Sequence, residues 1–196
     1  HEVASGQIPE RVATSLSVLL VGYAIGALGA AALTLLAIST RVGRDLLELL
    51  TSMFNPLPAI ALLPLSLIWF GLGPASIVFG TVHAGTWAVS LNTYSGFRSV
   101  SPTLRMVGRN YGLHGLRYAG LILVPAAAPS ILTGLKIGWA FAWRTLIAAE
   151  LVFGVSAGSG GLGWFIFERK NLIDIPAVFA GLLTVMAVAL LSPSRG

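Results

Sequence analysis

The sequence predicts an all-α, polytopic membrane bundle, and three observations carry that prediction. Of 196 residues only 10% are charged and 56% are hydrophobic, with a mean hydropathy of +0.86; a soluble domain carries about a quarter charged residues. Residues 12–40 and 49–97 contain no Asp, Glu, Lys or Arg, and an apolar helix crosses a bilayer in roughly 20 residues. The net charge of +5 is concentrated, because Arg41, Arg44, Arg98, Arg105, Arg109 and Arg117 flank the central apolar block. That is the positive-inside pattern of cytoplasmic loops, and it argues against nucleic-acid binding, which needs a soluble basic face with aromatic platforms. With no cysteine, disulfides, thiolate metal sites and cysteine nucleophiles are excluded. The chain begins at His1 and shows no signal peptide, so it is expected to be the ordered part of a longer protein.

The elements follow in order. Residues 1–11 are polar, and a first span covers about 12–39. Gly22, Gly26 and Ala30 recur there at four-residue spacing, a small-residue face for close helix packing. Residues 41–48 form a short amphipathic segment placed at the cytoplasmic surface. Asn55-Pro56-Leu57-Pro58 and Pro64 make the next span, about 59–70, short and kinked, and Gly71 to Pro74 end it with a turn. A third span covers about 75–94.

Ser101 at the N-cap and Pro102 at N1 then start a short amphipathic helix, over about 102–111, which Gly112 is placed to end. A further helical segment, about 113–124, is expected to break at Pro125 and Pro129 before a fourth span at about 130–153. A glycine- and serine-rich loop, 154–163, a short segment, 164–170, and a last span at about 175–191 complete the chain. About five spans are visible in one domain, residues 1–196.

Gly112, Ile122 and Pro125 stand at the spacing of the cytoplasmic signature loop of ATP-binding cassette (ABC) importer permeases. Val124 replaces the pattern's leucine, and Met106-Val107-Gly108 replaces its Glu-Ala-Ala triplet. Residues 55–65, Ile68 to Gly73, Leu91 to Thr93, Gly96, Arg98 to Val100 and Arg109 to Leu113 resemble the nitrate/sulfonate/taurine branch. So do Pro129 to Leu135, Trp143, Ala148 to Glu150 and Gly161 to Gly163. The resemblance runs from about residue 8 to 190 and implies a type I ABC importer permease-like fold. Members usually have six spans, so one N-terminal span is expected beyond those visible.

The resemblance makes residues of about 98–118 a cytoplasmic coupling loop toward a separate ATPase, with Leu104, Arg105, Val107, Gly108, Arg109, Asn110, Tyr111, Gly112 and Leu113 as its coupling residues. Spacing supports this, since Leu104, Val107 and Tyr111 form an apolar edge suited to a protein groove. Arg105 and Arg109 lie on a neighbouring face; partner contact and simple topology both account for them. No phosphate-binding G-x-x-x-x-G-K-[ST] occurs, so this chain is expected to bind no cofactor, with ATP and Mg on the partner subunit. Gly158-Ser159-Gly160-Gly161-Leu162-Gly163 matches a dinucleotide fingerprint by letters, but it follows an apolar span rather than a strand. No catalytic serine, histidine and carboxylate set and no metal cluster is evident, so no enzyme is expected.

The fourth span holds Lys136, Arg144 and Glu150, and ionisable groups within a span usually face a bundle interior or an aqueous path. At about 100° per residue, Lys136, Trp139, Trp143 and Glu150 share a stripe roughly 60° wide, with Arg144 off it. A translocation path lined by His83, Trp87, Lys136, Trp139, Trp143, Arg144 and Glu150 is one reading. In the other, Lys136 snorkels to the inner surface, Glu150 caps the outer end, and His83 merely packs.

The resemblance further implies a homodimer, two cytoplasmic ABC ATPases and an extracytoplasmic solute-binding protein, in a bacterial cytoplasmic (inner) membrane. The expected cargo is a small anion: a sulfonate, taurine, nitrate or similar. An ion-gradient-driven secondary transporter is the alternative, and it would need no ATPase.

Overall fold

Small residues decide where the helices meet. The computed structural model describes residues 7–153 and 160–191. It contains α1 (Gln7–Ser39), α2 (Arg41–Phe54), a 3-10 turn (Ala59–Leu62), α3 (Leu63–Phe70), α4 (Pro74–Ser99) and α5 (Pro102–Asn110). After these come α6 (Gly115–Tyr118), a π-helical turn (Ala119–Leu123), α7 (Val124–Phe153), α8 (Leu162–Asn171) and α9 (Ile175–Leu191). No strand occurs among the described residues.

Helix α4 is the centre of the bundle, with α1 on one side and α7 on the other. A Cβ at Gly22 would run into the Thr81 side chain, and one at Gly26 would lie 3.1 Å from the Val82 carbonyl. The four-residue repeat on α1 is therefore the α1–α4 contact. On the other side, a Cβ at Gly134 would come within 2.8 Å of Asn92 Cβ, and one at Gly138 within 2.7 Å of Val89 Cγ2. Such backbone approach suits lipid-embedded helices, whose association relies on packing rather than on the hydrophobic effect. Leu19, Leu63, Ile77, Trp143, Leu146, Phe153 and Leu162 form the main core around this crossing. A second cluster, Phe97, Val100, Ala119, Leu123 and Ala127, closes the end that carries α5.

Two expected features differ. Pro125 and Pro129 do not break the chain: helix continues from Gly115 to Phe153 over 39 residues, with Pro129 inside α7. The π turn immediately before α7 accounts for Pro125, since a wider turn accommodates a proline ring that a regular α-helical ladder would reject, while Pro129 is carried within α7 itself. The charged segment at 41–48 also does not stand alone. It is the start of α2, capped by Thr40 Oγ1, which accepts from Gly43 N at 2.9 Å. That helix ends at Phe54, whose ring stacks on Trp87, with centroids 5.4 Å apart. Trp87 lies 12 residues before the end of α4, about 18 Å along the helix, so α2 climbs into the bundle. The chain then turns by 89° into the next helical piece.

By length and composition, α1 (from Ile8) and the Gly115–Phe153 helix suffice to cross a membrane, as does the bent α2–α3 pair if it is one span. Helix α4 has 26 residues, many of them small and polar with Ser76, Thr81 and Ser90 fully buried, and α9 is apolar with 17.

Gly138→Leu should force α4 and α7 apart. The expected cost is about 1–3 kcal/mol of overpacking, read as a lower melting temperature of the solubilised protein, whereas Gly29→Leu, where a Cβ meets open space, should leave it unchanged.

Candidate functional site

The bend between α2 and α3 leaves space beside α4 and α7. A cavity of about 250 Å³ lies there, lined by Phe54 to Ile60, by His83, Ala84 and Trp87 of α4, and by Phe141, Arg144 and Thr145 of α7. His83, Trp87 and Arg144 are thus brought together, although 57 residues of sequence separate Trp87 from Arg144. Trp87 Nε1 donates to His83 Nδ1 at 3.1 Å, and His83 Nε2 lies 3.3 Å from the Leu57 carbonyl. Indole N–H is only a donor, so Nδ1 accepts and the ring proton sits on Nε2, where it meets Leu57. His83 therefore ties the loop after α2 to α4. Arg144 is exposed, and its guanidinium carbon lies 5.9 Å from the Phe141 ring centroid.

The stripe of Lys136, Trp139, Trp143 and Glu150 is not brought to this cavity. Trp143 belongs to the main core and is 5% exposed. Trp139 packs edge-on against Tyr23 of α1, with centroids 5.3 Å apart, and Lys136 is half-buried outside the cavity lining. Glu150 is 3% exposed. Its carboxylate accepts from Ser15 Oγ at 2.7 Å and from Gly163 N at 2.8 Å, and Ser15 Oγ accepts in turn from Leu162 N at 2.8 Å. Glu150 thus joins α1, α7 and the start of α8 in one buried polar knot. The Gly158-to-Gly163 motif begins outside the described residues; its end, from Gly160, supplies this turn and enters α8.

At the opposite end, α5 stands outward. Ser101 Oγ accepts from Leu104 N at 3.3 Å and Pro102 occupies the first turn. The helix closes with Gly112 at φ +69°, while Leu113 N donates to the Gly108 carbonyl at 3.0 Å and Gly112 N to that of Arg109 at 2.9 Å. This is the paired hydrogen-bond closure that a left-handed glycine permits. Leu104, Val107, Arg109, Asn110 and Tyr111 are exposed, Tyr111 to 80%, and Leu113 is partly covered.

Two residues of this helix face inward. Arg105 donates from Nε to the Val100 carbonyl at 3.1 Å and from Nη2 to that of Phe97 at 2.5 Å, closing the end of α4. A Cβ on Gly108 would lie 2.9 Å from Tyr118 Cε2, so that glycine seats α5 against the next helix. Arg44, Arg98, Arg105 and Arg109 line a basin of about 1,120 Å³ beside it, together with Asp45 and Glu48.

Sequence reasoning did not find Phe54 and Phe141 as cavity walls. The proline pair after Phe54 was the available signal, since it marks where a span turns.

A helical membrane bundle with a broken span and an outward, rigidly capped helix at one end has the form of a transport permease. The family model described as the binding-protein-dependent transport system inner membrane component matches residues 22–194, and the chain belongs to that family, the ABC transporter permeases. It is similar to the putative aliphatic sulfonates transport permease SsuC of Escherichia coli, 28% identical over 92% of this chain and 67% of that protein. The nitrate import permease NrtB of Synechocystis is 31% identical over 92% and 64%, and the E. coli taurine permease TauC 31% over 76% and 52%. A crystal structure of an amino acid ABC transporter with histidines shares the fold, with a TM-score of 0.69 at 14% identity, covering 97% of this chain and 89% of that one. Family membership makes the chain a membrane transport component and implies association with an ATPase and a solute-binding protein.

Glu150→Ala should strand the Ser15 hydroxyl and the Gly163 N–H, at about 1–3 kcal/mol for each buried group left unsatisfied. Thermal unfolding of the solubilised protein should register that loss, while Arg144→Ala leaves the melting temperature near that of the parent.

Proposed function

We propose that this chain forms the membrane pathway for a small anion, such as a sulfonate, taurine, nitrate or a similar acid, imported at the expense of ATP hydrolysed elsewhere. The observation that carries the reading is the cavity at the broken span, where Arg144 is the only Lys, Arg, Asp or Glu of the lining among the described residues. An anion in transit finds a guanidinium there and no competing carboxylate, while the exposed position of Arg144 keeps the attraction weak enough for release. The named substrates of the relatives SsuC, NrtB and TauC are in keeping with it.

In this reading two copies of the chain enclose the pathway in the cytoplasmic membrane, each docks one ATPase through α5, and a solute-binding protein delivers cargo at the other face. The exposed edge of Leu104, Val107 and Tyr111 enters a groove on the ATPase, with Arg109 and Asn110 beside it. Gly108 and Arg105 serve the same coupling from inside, by fixing α5 to its own bundle. From Ser99 at the α5 end, α4 runs 16 residues back to His83, about 24 Å. Closure of the ATPase pair moves α5, α4 carries the displacement to the cavity, and access alternates between the two faces. Mg and ATP remain with the ATPase.

Gly112→Val places a β-branched residue at a left-handed turn, a strain of about 1–3 kcal/mol. ATP-driven uptake in proteoliposomes should fall by about tenfold or more while the protein still inserts; undiminished uptake removes the coupling role. Arg144→Ala should impair uptake with assembly intact, and unchanged uptake kinetics would remove Arg144 from the pathway.

A further inference from the structure

The two longest apolar helices meet at one end of the bundle. Ala37, Ile38 and Ser39 end α1, Gly115 and Tyr118 open the 39-residue helix that runs to Phe153, and all five line the basin beside α5. Residues 12–40 carry no charge, and Arg41 follows at once. Where apolar spans end, hydrocarbon gives way to lipid headgroups. The basin therefore opens at headgroup depth, on the α5 side of the membrane.

Its charges do not balance. Arg44, Arg98, Arg105 and Arg109 line it with Asp45 and Glu48, which leaves two positive charges in excess. Glu48 lies 4.0 Å from Arg98, with both side chains largely exposed, and such a pairing is worth little. The guanidinium groups of Arg44 and Arg109 have no hydrogen bond or ion pair among the described residues. Arg105 is held in place, with Nε and Nη2 spent on the Val100 and Phe97 carbonyls and Nη1 uncommitted. The same space also reaches Ile38, Phe97, Val100 and Leu123, which belong to the second core cluster or pack on it. One basin thus joins surplus arginine to an apolar wall.

We infer that the basin holds the phosphate of an anionic phospholipid, such as phosphatidylglycerol, drawn from the leaflet on the α5 side. Forked guanidinium groups suit phosphate oxygens, and a basic pocket between spans at headgroup depth is a site of this kind. The first acyl carbons lie against the apolar wall, for which a free phosphate has no use. Asp45 and Glu48 repel the phosphate itself but accept from the glycerol hydroxyls of the headgroup. A phosphatidylcholine headgroup would instead bring its own cation to a basin that already has two too many. The lipid joins α2 to α4 and α5, whose arginines it shares.

The test is native mass spectrometry of the full-length permease–ATPase assembly, released from nanodiscs of equal phosphatidylglycerol and phosphatidylcholine. Phosphatidylglycerol should be retained about tenfold over phosphatidylcholine. Arg44→Gln with Arg98→Gln removes the surplus charge and should abolish that preference. Arg41→Gln with Arg117→Gln, equal in charge but outside the basin lining, should keep it. If the first pair fails to fold, Arg44→Gln alone should lower retention by about fivefold. Equal loss in both pairs would reduce the preference to the general charge of this face and overturn the site, as would retention that neither pair alters. Inorganic phosphate is the second probe, added to the assembly in phosphatidylcholine alone. A rise in melting temperature that depends on Arg44, with no phosphatidylglycerol retained, would make the ligand a free anion and overturn the lipid. Loss of the ATPase from the Arg44 and Arg98 pair, with lipid retention intact, would make the basin a protein-docking face instead.

Discussion

Everything in this bundle depends on α4 being thin enough to lie against two helices at once. Gly22 and Gly26 bring α1 onto one side, and Gly134 and Gly138 bring α7 onto the other. At these distances a methyl group on Gly22, Gly134 or Gly138 would collide with a side chain, and one on Gly26 would press on the Val82 carbonyl. The polar groups that α4 carries are accommodated by the same closeness: Thr81 bonds the Ile77 and Val78 carbonyls, and Thr86 reaches Gly26 of α1 at 3.3 Å. A membrane helix can hold so many hydroxyls because each finds a carbonyl nearby, or is sealed from lipid by a neighbour. Only with α4 so enclosed does its remaining face, with His83 and Trp87, become available to the bend after α2.

Much of this was legible in the sequence, for reasons that differ by element. The small-residue repeat on α1 names its contact face because a period of four residues has one helical meaning. Ser101-Pro102 and Gly112 bracket α5 correctly because a cap and a left-handed stop are local chemistry, decided within a few residues. The course of α2 was not legible. Its charges mark its first turns, but nothing local says that the ring at its far end stacks on Trp87. Pro125 and Pro129 misled for a related reason, since a proline's effect depends on whether the preceding turn widens, which neighbouring packing decides.

The candidate site divides along the same line. Periodicity grouped Lys136, Trp139, Trp143 and Glu150 on one face of α7, and Trp139 and Glu150 do meet α1 while Trp143 sits in the main core. What periodicity could not say is that this face is the packed one. Glu150 is occupied by Ser15 and two backbone amides lie within the same knot, so its carboxyl group is answered by structure. Arg144, about 100° round from Trp143, escapes that packing and lines the cavity that residues from α2 and α4 share. An ionisable group within a span thus carries meaning through its partners, and those lie far away in sequence.

Arg105 has a mechanical meaning. By gripping the Phe97 carbonyl of α4 and that of Val100 just beyond it, while its own backbone belongs to α5, it acts as a gusset across the corner between them. The elbow at Val100 and Ser101 is thereby braced, so the angle at which α5 leaves the bundle is set by a side chain as well as by the backbone.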